Sequence, residues 1–350
     1  MTLQINKPAY KVPTMAEIKK IKPNGYKVVS TFSGAGGTCL GYKMAGYDVV
    51  WASEFVPKAR EVYEMNHDTY VDGNDIRTVS GEDILRRINM KIGELDILEG
   101  SPPCASFSTS GKRHKHWGQV KSYSDKKQRT DDLFDEYIRL INQIKPKVFV
   151  AENVMGLVKG KAKGYFKDIM KGMKASGYQV QAKGLDASWL GVPQARQRVF
   201  FMGVRNDLNI QPTYPRPLPY QMVLKDILPN IKNNEGIKDA IRYFAPAYVR
   251  EYHKIKQGKK SDKYITFRRS HFDKPCLTVM ATHSSGPAHP IEPRHFTINE
   301  LKQICSFPED FKLIGRWSQQ FERLGRSVPP FMAKAIAETI QKEVLDKCPR

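Results

Sequence analysis

From Lys27 to about Val204, short β-branched or aromatic runs alternate with longer amphipathic stretches. Such alternation is expected of a mostly parallel sheet flanked by helices. The runs predict strands over Lys27–Phe32, Tyr47–Glu54, Leu95–Glu99, Lys147–Glu152, Tyr178–Leu185 and Arg198–Val204. Between them, apolar positions at helical spacing predict helices over Gly37–Ala45, Pro57–Asn66, Gly81–Ile88, Asp131–Ile144 and Tyr165–Ser176. Pro57 suits a first helical position, and Gly46 and Gly177 suit helix stops.

The pattern then breaks. Four prolines between Gln211 and Pro219 make a stiff connector, and a basic, aromatic region without clear period follows to about Arg269. Helical spacing returns at Thr297–Cys305 and Pro330–Leu345. These shifts divide the chain into a basic, Pro-punctuated leader (1–25), a first domain (26–205), an inserted module (206–273) and a segment (274–350) that rejoins the first domain.

Composition narrows the partner. With 350 residues, 40% of them apolar, the chain can bury a substantial core. A formal charge of +21 favours polyanions through counterion release, so nucleic acid is the leading partner class and a merely basic soluble protein the alternative. Cys39, Cys104, Cys276, Cys305 and Cys348 are an odd number without a short Cys pair, which suggests neither a disulfide framework nor a zinc site. There is no signal-peptide pattern and no run long enough to span a bilayer, so the expected location is cytoplasmic, with nucleoid association through DNA.

Candidate chemistry clusters at predicted strand ends. Gly34, Gly36 and Gly37 after the first strand let the backbone approach a ligand at a helix start, although a ligand-free glycine turn reads the same way. Glu54 and Phe55 end the second strand about where an acid meets a ribose diol in nucleotide-binding sheets, and Asp75 with Ile76 adds a carboxylate and an apolar wall. Together they describe a pocket for an adenosine-containing cofactor. Cys104 follows Ser101, Pro102 and Pro103 where a buried strand gives way to a rigid turn, a position suited to a nucleophile. Glu152 ends an apolar strand, where open α/β sheets keep their active sites and where a solvated carboxylate is also common. Gln194, Arg196 and Arg198 share one face in extended backbone, suited to phosphates or a base carbonyl. The basic stretch from Gly111 to Arg129 is long enough to serve as a mobile lid.

Taken in order, Phe32 to Gly37, Glu54-Phe55, Asp75-Ile76, Ser101 to Cys104, Glu152 to Val154, Gln194 to Arg198, Phe296 to Leu301 and Gly325 to Pro330 resemble the C5-cytosine DNA methyltransferase family of prokaryotic or phage type. The match covers about residues 26–205 and 275–345. It implies an α/β, Rossmann-like, S-adenosylmethionine-dependent methyltransferase sheet with helices on both faces and a small inserted target recognition domain. It also implies that Cys104 adds to C6 of an extruded cytosine, with Glu152 at N3 and the exocyclic amine, Arg198 near O2 and Arg196 supporting the loop. For S-adenosyl-L-methionine it implies Phe32, Gly34, Gly36, Gly37, Glu54, Phe55, Asp75, Ile76, Ser327 and Val328, with no metal. Double-stranded DNA is the implied partner, a cognate restriction endonuclease an implied genetic one, and the expected state is a monomer.

Three positions depart from the family pattern: Arg326 for the usual Asn, Ala105 for a frequent Gln, and Ser101 for a Gly. In the inserted module Tyr243, Tyr248, Arg250, Tyr252, His253, Lys259, Lys260, Arg268 and Arg269 supply the mixture that grips phosphates and reads bases. Two other readings of the same fold are a cytosine-5 methyltransferase acting on tRNA and a catalytically silent DNA-binding protein.

Overall fold

A computed structural model describes residues 7–103, 121–123, 126–128, 132–159, 162–230, 242–264, 266–281 and 287–348. Cys104 and most of the expected lid lie outside these residues. Along the chain run α1 (Met15–Lys19), β1 (Lys27–Thr31), α2 (Gly37–Met44), β2 (Asp48–Ser53), α3 (Pro57–Asn66), β3 (Val71–Asp72), α4 (Gly81–Arg87), β4 (Ile97–Gly100), β5 (Lys121–Tyr123) and β6 (Lys126–Gln128). Then follow α5 (Leu133–Ile144), β7 (Val148–Val154), α6 (Lys163–Ala175), β8 (Tyr178–Asp186), β9 (Gln194–Ala195), β10 (Gln197–Arg205) and α7 (Pro246–Lys254). The last elements are β11 (Arg268–Arg269), β12 (Cys276–Leu277), β13 (Pro287–Ala288), α8 (Ile298–Ile304), α9 (Trp317–Arg326) and α10 (Pro330–Glu343).

The chain divides into two compact units. The first comprises Lys22–Leu185, Gln197–Pro215 and Lys334–Arg350; the second comprises Met1–Ile21, Asp186–Arg196 and Arg216–Ala333. The first is built on a seven-stranded sheet in the order β3-β2-β1-β4-β7-β10-β8. β3, β2, β1, β4 and β7 pair in parallel, and β10 runs antiparallel to β7. The order reverses between β1 and β4, the switch point where such Rossmann-like α/β sheets open a crevice at their strand ends. One sheet face, with Val29, Leu98, Phe149 and Phe201, packs into a core closed by Ile84 and Leu85 of α4, Phe134 to Ile144 of α5 and Ile169 and Met173 of α6. Side chains alternate along each strand, so Ser30, Glu99, Val150 and Glu152 lie on the opposite face.

The second unit has little regular structure. Its paired strands have two residues each, β9 with β12 and β11 with β13. An aromatic cluster of Tyr252, Ile255, Phe267 and Ala288, flanked by Phe244 and Tyr264, supplies apolar burial. Tyr248 stacks on Tyr264 at 4.5 Å between ring centroids. Buried Arg294 makes two hydrogen bonds to Glu300, of 2.8 and 2.9 Å, and two to Glu292, both of 2.9 Å.

The predicted strands and helices of the first domain all form, with ends displaced by one or two residues. Phe32 is an exception of kind: at φ 54° it leaves β1 and enters the following turn. Several short elements escaped the periodicity. β3 has two residues, too few to show alternation, while α7 and α9 are short helices of nine and ten residues.

Candidate active site

Backbone conformation builds the turn between β1 and α2. Phe32, Gly34 and Gly36 all have positive φ, at 54°, 56° and 88°, a region glycine enters freely and other residues at about 1–2 kcal/mol. A Cβ on Gly36 would fall 2.2 Å from Nε2 of buried His67, whereas the same position on Gly34 has nothing within 4 Å. Gly36 is therefore demanded by packing, and Gly34 leaves open room beside the start of α2. Glu54, just after β2, is buried, and its carboxylate accepts hydrogen bonds from the backbone N–H of Gly34 and of Val56, both 2.7 Å. One side chain thus ties two strand-end turns together.

Phe55 is half-buried between these groups. Asp75 accepts from the backbone N–H of Arg77 and pairs with its guanidinium at 3.0 Å, while Arg77 reaches Asp132 at 2.6 Å. That ion network fixes the Asp75 carboxylate next to the buried Ile76. An open cradle, two fixed carboxylates and apolar walls at successive strand ends fit a ribose and an amino-substituted base. Ser327 and Val328 belong to the other unit, where Ser327 Oγ donates to the carbonyl of Arg323 and Val328 is buried.

A polar row crosses the sheet face opposite α4, α5 and α6. Glu152 on β7 pairs with Arg198 on β10, Nε to Oε1 at 2.9 Å, with both side chains about nine-tenths withdrawn or nearly so at 14% and 15% exposure. Burial pulls the Arg198 guanidinium below its ordinary value, and the Glu152 carboxylate opposes that shift. The next residue, buried Asn153, donates to the carbonyl oxygen of Pro102 at 3.0 Å. Pro102 stands two residues before Cys104, so β7 carries both an acid and the anchor for the segment leading to the thiol.

Arg196 and Arg198 take different partners. The strand breaks between β9 and β10 at Arg196, which is buried and donates to the carbonyls of Val279 and Gly325, both at 2.9 Å. Gln194 turns inward beside it, accepting from Val279 N–H at 3.1 Å and donating to Cys305 Sγ. The guanidinium of Arg196 organises backbone, and only Arg198 meets Glu152.

Sequence reasoning passed over Asn153 as a positioning group and Glu99 altogether. Glu99 is buried in β4, accepts a hydrogen bond from Ser30 and is pushed up to about 8 by burial, with Glu152 raising it further. A carboxylate directly after the apolar run Leu95–Leu98 was the available signal. Among the described residues no group of His, Cys, Asp and Glu is arranged to hold a metal ion, and no helix is long and apolar enough to cross a membrane.

Residues 26–342 match the model of the C-5 cytosine-specific DNA methylase family. The chain is 31% identical to the Type II methyltransferase M.FnuDI of Fusobacterium nucleatum, over 92% of this chain and 96% of that protein. It is 31% identical to the Type II methyltransferase M.NgoFVII of Neisseria gonorrhoeae, over 91% and 87%. Among solved structures, a prophage-encoded E. coli protein described as a DNA modification methyltransferase superposes with a TM-score of 0.74 at 22% identity, over 91% of this chain and 99% of that one. The Dnmt2 methyltransferase of S. pombe gives 0.62 at 17% identity, over 91% and 98%.

Proposed function

This chain belongs to the C-5 cytosine-specific DNA methylase family, and from that premise we propose that it methylates C5 of a cytosine extruded from duplex DNA. The observation that carries the reading is the withdrawn Glu152–Arg198 pair on the same strand as the Asn153 anchor for Pro102. Cytosine C5 is a weak nucleophile, and addition of the Cys104 thiolate to C6 turns it into an enamine carbon. That addition needs charge relief at N3, which Glu152 supplies by holding a shared proton there, while Arg198 faces O2. Release follows when a base takes the C5 proton and the sulfur leaves. The target base lies inside the stack, so extrusion costs a few kcal/mol, returned by contacts in the pocket.

Bound S-adenosyl-L-methionine would supply the methyl group from its sulfonium. The residues that would hold it are Phe32, Gly34, Gly36, Gly37, Glu54, Phe55, Asp75 and Ile76, with Ser327 and Val328 carried over from the family motif. Arg196 is a positioning residue in this scheme. Residues 26–205 with 274–350 form the catalytic domain, and 206–273 the target recognition domain, whose aromatic and basic side chains contact DNA. A chain acting on the chromosome works in the cytoplasm as a monomer, paired genetically with a restriction endonuclease of the same specificity.

The test is covalent capture. Duplex DNA carrying 5-fluorocytosine, incubated with the protein and S-adenosylmethionine, yields an adduct stable to denaturing electrophoresis, and Cys104→Ser abolishes it. Methyl transfer to tRNA and never to DNA would overturn the reading.

A further inference from the structure

The catalytic scheme leaves one buried acid unused. In β1 and β4, Ser30 and Glu99 are register partners on adjacent strands, and the Ser30 hydroxyl donates to Glu99 Oε1. Ser33 Oγ lies 2.7 Å from Ser30 Oγ and 3.2 Å from the carbonyl oxygen of Ser30. All three residues are buried, at 0%, 3% and 8% exposure for Ser30, Glu99 and Ser33. Since Ser30 gives its proton to Glu99, the chain of hydroxyls runs Ser33 to Ser30 to Glu99 and ends on an acceptor. Ser33 sits between Phe32 and Gly34, two of the three positive-φ residues of the cofactor turn. Glu99 immediately precedes Gly100, the last residue of the strand that continues through Ser101, Pro102 and Pro103 to Cys104.

We infer that Glu99 is a positioning residue that holds the cofactor turn in its ligand-accepting shape through Ser30 and Ser33, and so links S-adenosylmethionine binding to the strand that delivers the nucleophile. The inference rests on the proposed function and adds a residue to it. Phe32 occupies a backbone region that is costly for a residue with a Cβ, so its conformation must be held by something. The neighbouring hydroxyl chain is fixed at one end by a side chain that cannot move in the sheet. Burial raises the proton affinity of Glu99, Glu152 on β7 raises it further, and the hydrogen bond from Ser30 lowers it, with burial the largest of the three. Glu99 and Glu152 lie on one face, with Glu99 paired to Val150, so strand geometry sets their Cα atoms about 8 Å apart. A neutral acid at 99 can accept from Ser30 without adding charge beside Glu152.

The experiment compares Glu99→Gln, Glu99→Leu and Ser30→Ala in the full chain. Calorimetric titration with S-adenosylmethionine needs neither DNA nor turnover. Glutamine keeps an accepting oxygen and no charge, so its Kd stays within about twofold of the parent, while Glu99→Leu and Ser30→Ala weaken binding about tenfold. In turnover with saturating S-adenosylmethionine, kcat of Ser30→Ala falls less than about threefold, so the loss appears in KM. Circular dichroism establishes folding, and Ser30→Ala decides the matter if Glu99→Leu does not fold. Parent-like affinity in folded Ser30→Ala overturns the inference, as does a Gln variant as weak as the Ala variant. Absence of S-adenosylmethionine binding by the parent protein overturns the proposed function instead, and with it this inference.

Discussion

The two compact units keep their polar groups inside by different means. In the sheet unit, the backbone satisfies itself along a seven-stranded sheet, and buried polar side chains such as Ser30, Ser33, Glu54, Glu99 and Asn153 gather near strand ends around the site. The other unit lacks long ladders and uses side chains instead. Arg294 and Glu300, both nearly inaccessible, form a two-bond pair, Arg269 reaches the carbonyls of Ile255 and Pro290, and Arg196 those of Val279 and Gly325. Regular backbone can hold reactive groups at fixed spacing. Side-chain clamps instead let short irregular segments hold a fixed shape, at the cost of desolvating charge.

Breaking one carboxylate in each unit separates these roles most sharply. Glu152→Gln preserves a hydrogen bond to Arg198 but cannot carry the proton, so kcat should fall by about 10²- to 10⁴-fold with little change in urea unfolding. Glu300→Leu removes one of the two carboxylates paired with buried Arg294 and leaves the more exposed Glu292, and chemical denaturation should show a loss of about 3 kcal/mol. Equal effects of the two substitutions on stability would erase the contrast.

Proton linkage sharpens it further, with opposite signs. Burial pushes Glu99 up to about 8 from 4.5, so between those values the native chain binds more protons than the unfolded one. Stability from this group is full below about pH 4.5 and is lost as pH rises to 8. Burial pulls His289 down to about 4 from 6.5, so its contribution is full above 6.5 and is lost as pH falls to 4. Each slope is at most about 1.4 kcal/mol per pH unit. Urea titrations from pH 4.5 to 8.5 should show the alkaline loss reduced in Glu99→Gln and the acid loss reduced in His289→Gln.

The smallest effect distinguishes two glycines of one turn. Gly34→Ala has open space and bears only the strain of positive φ, about 1–2 kcal/mol. Gly36→Ala also collides with His67, so its thermal midpoint should fall further than that of Gly34→Ala. For S-adenosylmethionine affinity the order should reverse relative to stability, because only Gly34 opens onto the ligand's room.

Much of the sheet unit was legible because its strands and helices obey two different periods, and a buried face must follow one of them. Glu152 and the glycine turn could be placed at strand ends on that basis. Glu99 could not, because a strand pattern records which face a residue takes but not which neighbour waits there. The partners of Arg196 were hidden for a related reason: the carbonyls of Val279 and Gly325 lie 83 and 129 residues further along the chain. In the second unit α7 and α9 are short amphipathic helices, of nine and ten residues, that bury Tyr252 and Trp317, Phe321 and Leu324 respectively.

Local sequence therefore determined the element types, the basic character and the ordered motifs, since each depends on residues near one another along the chain. Tertiary structure alone decided that Ser30 meets Glu99, that Glu152 meets Arg198 and that Asn153 holds Pro102, because strand order and register bring together residues whose separation in sequence carries no signal of contact.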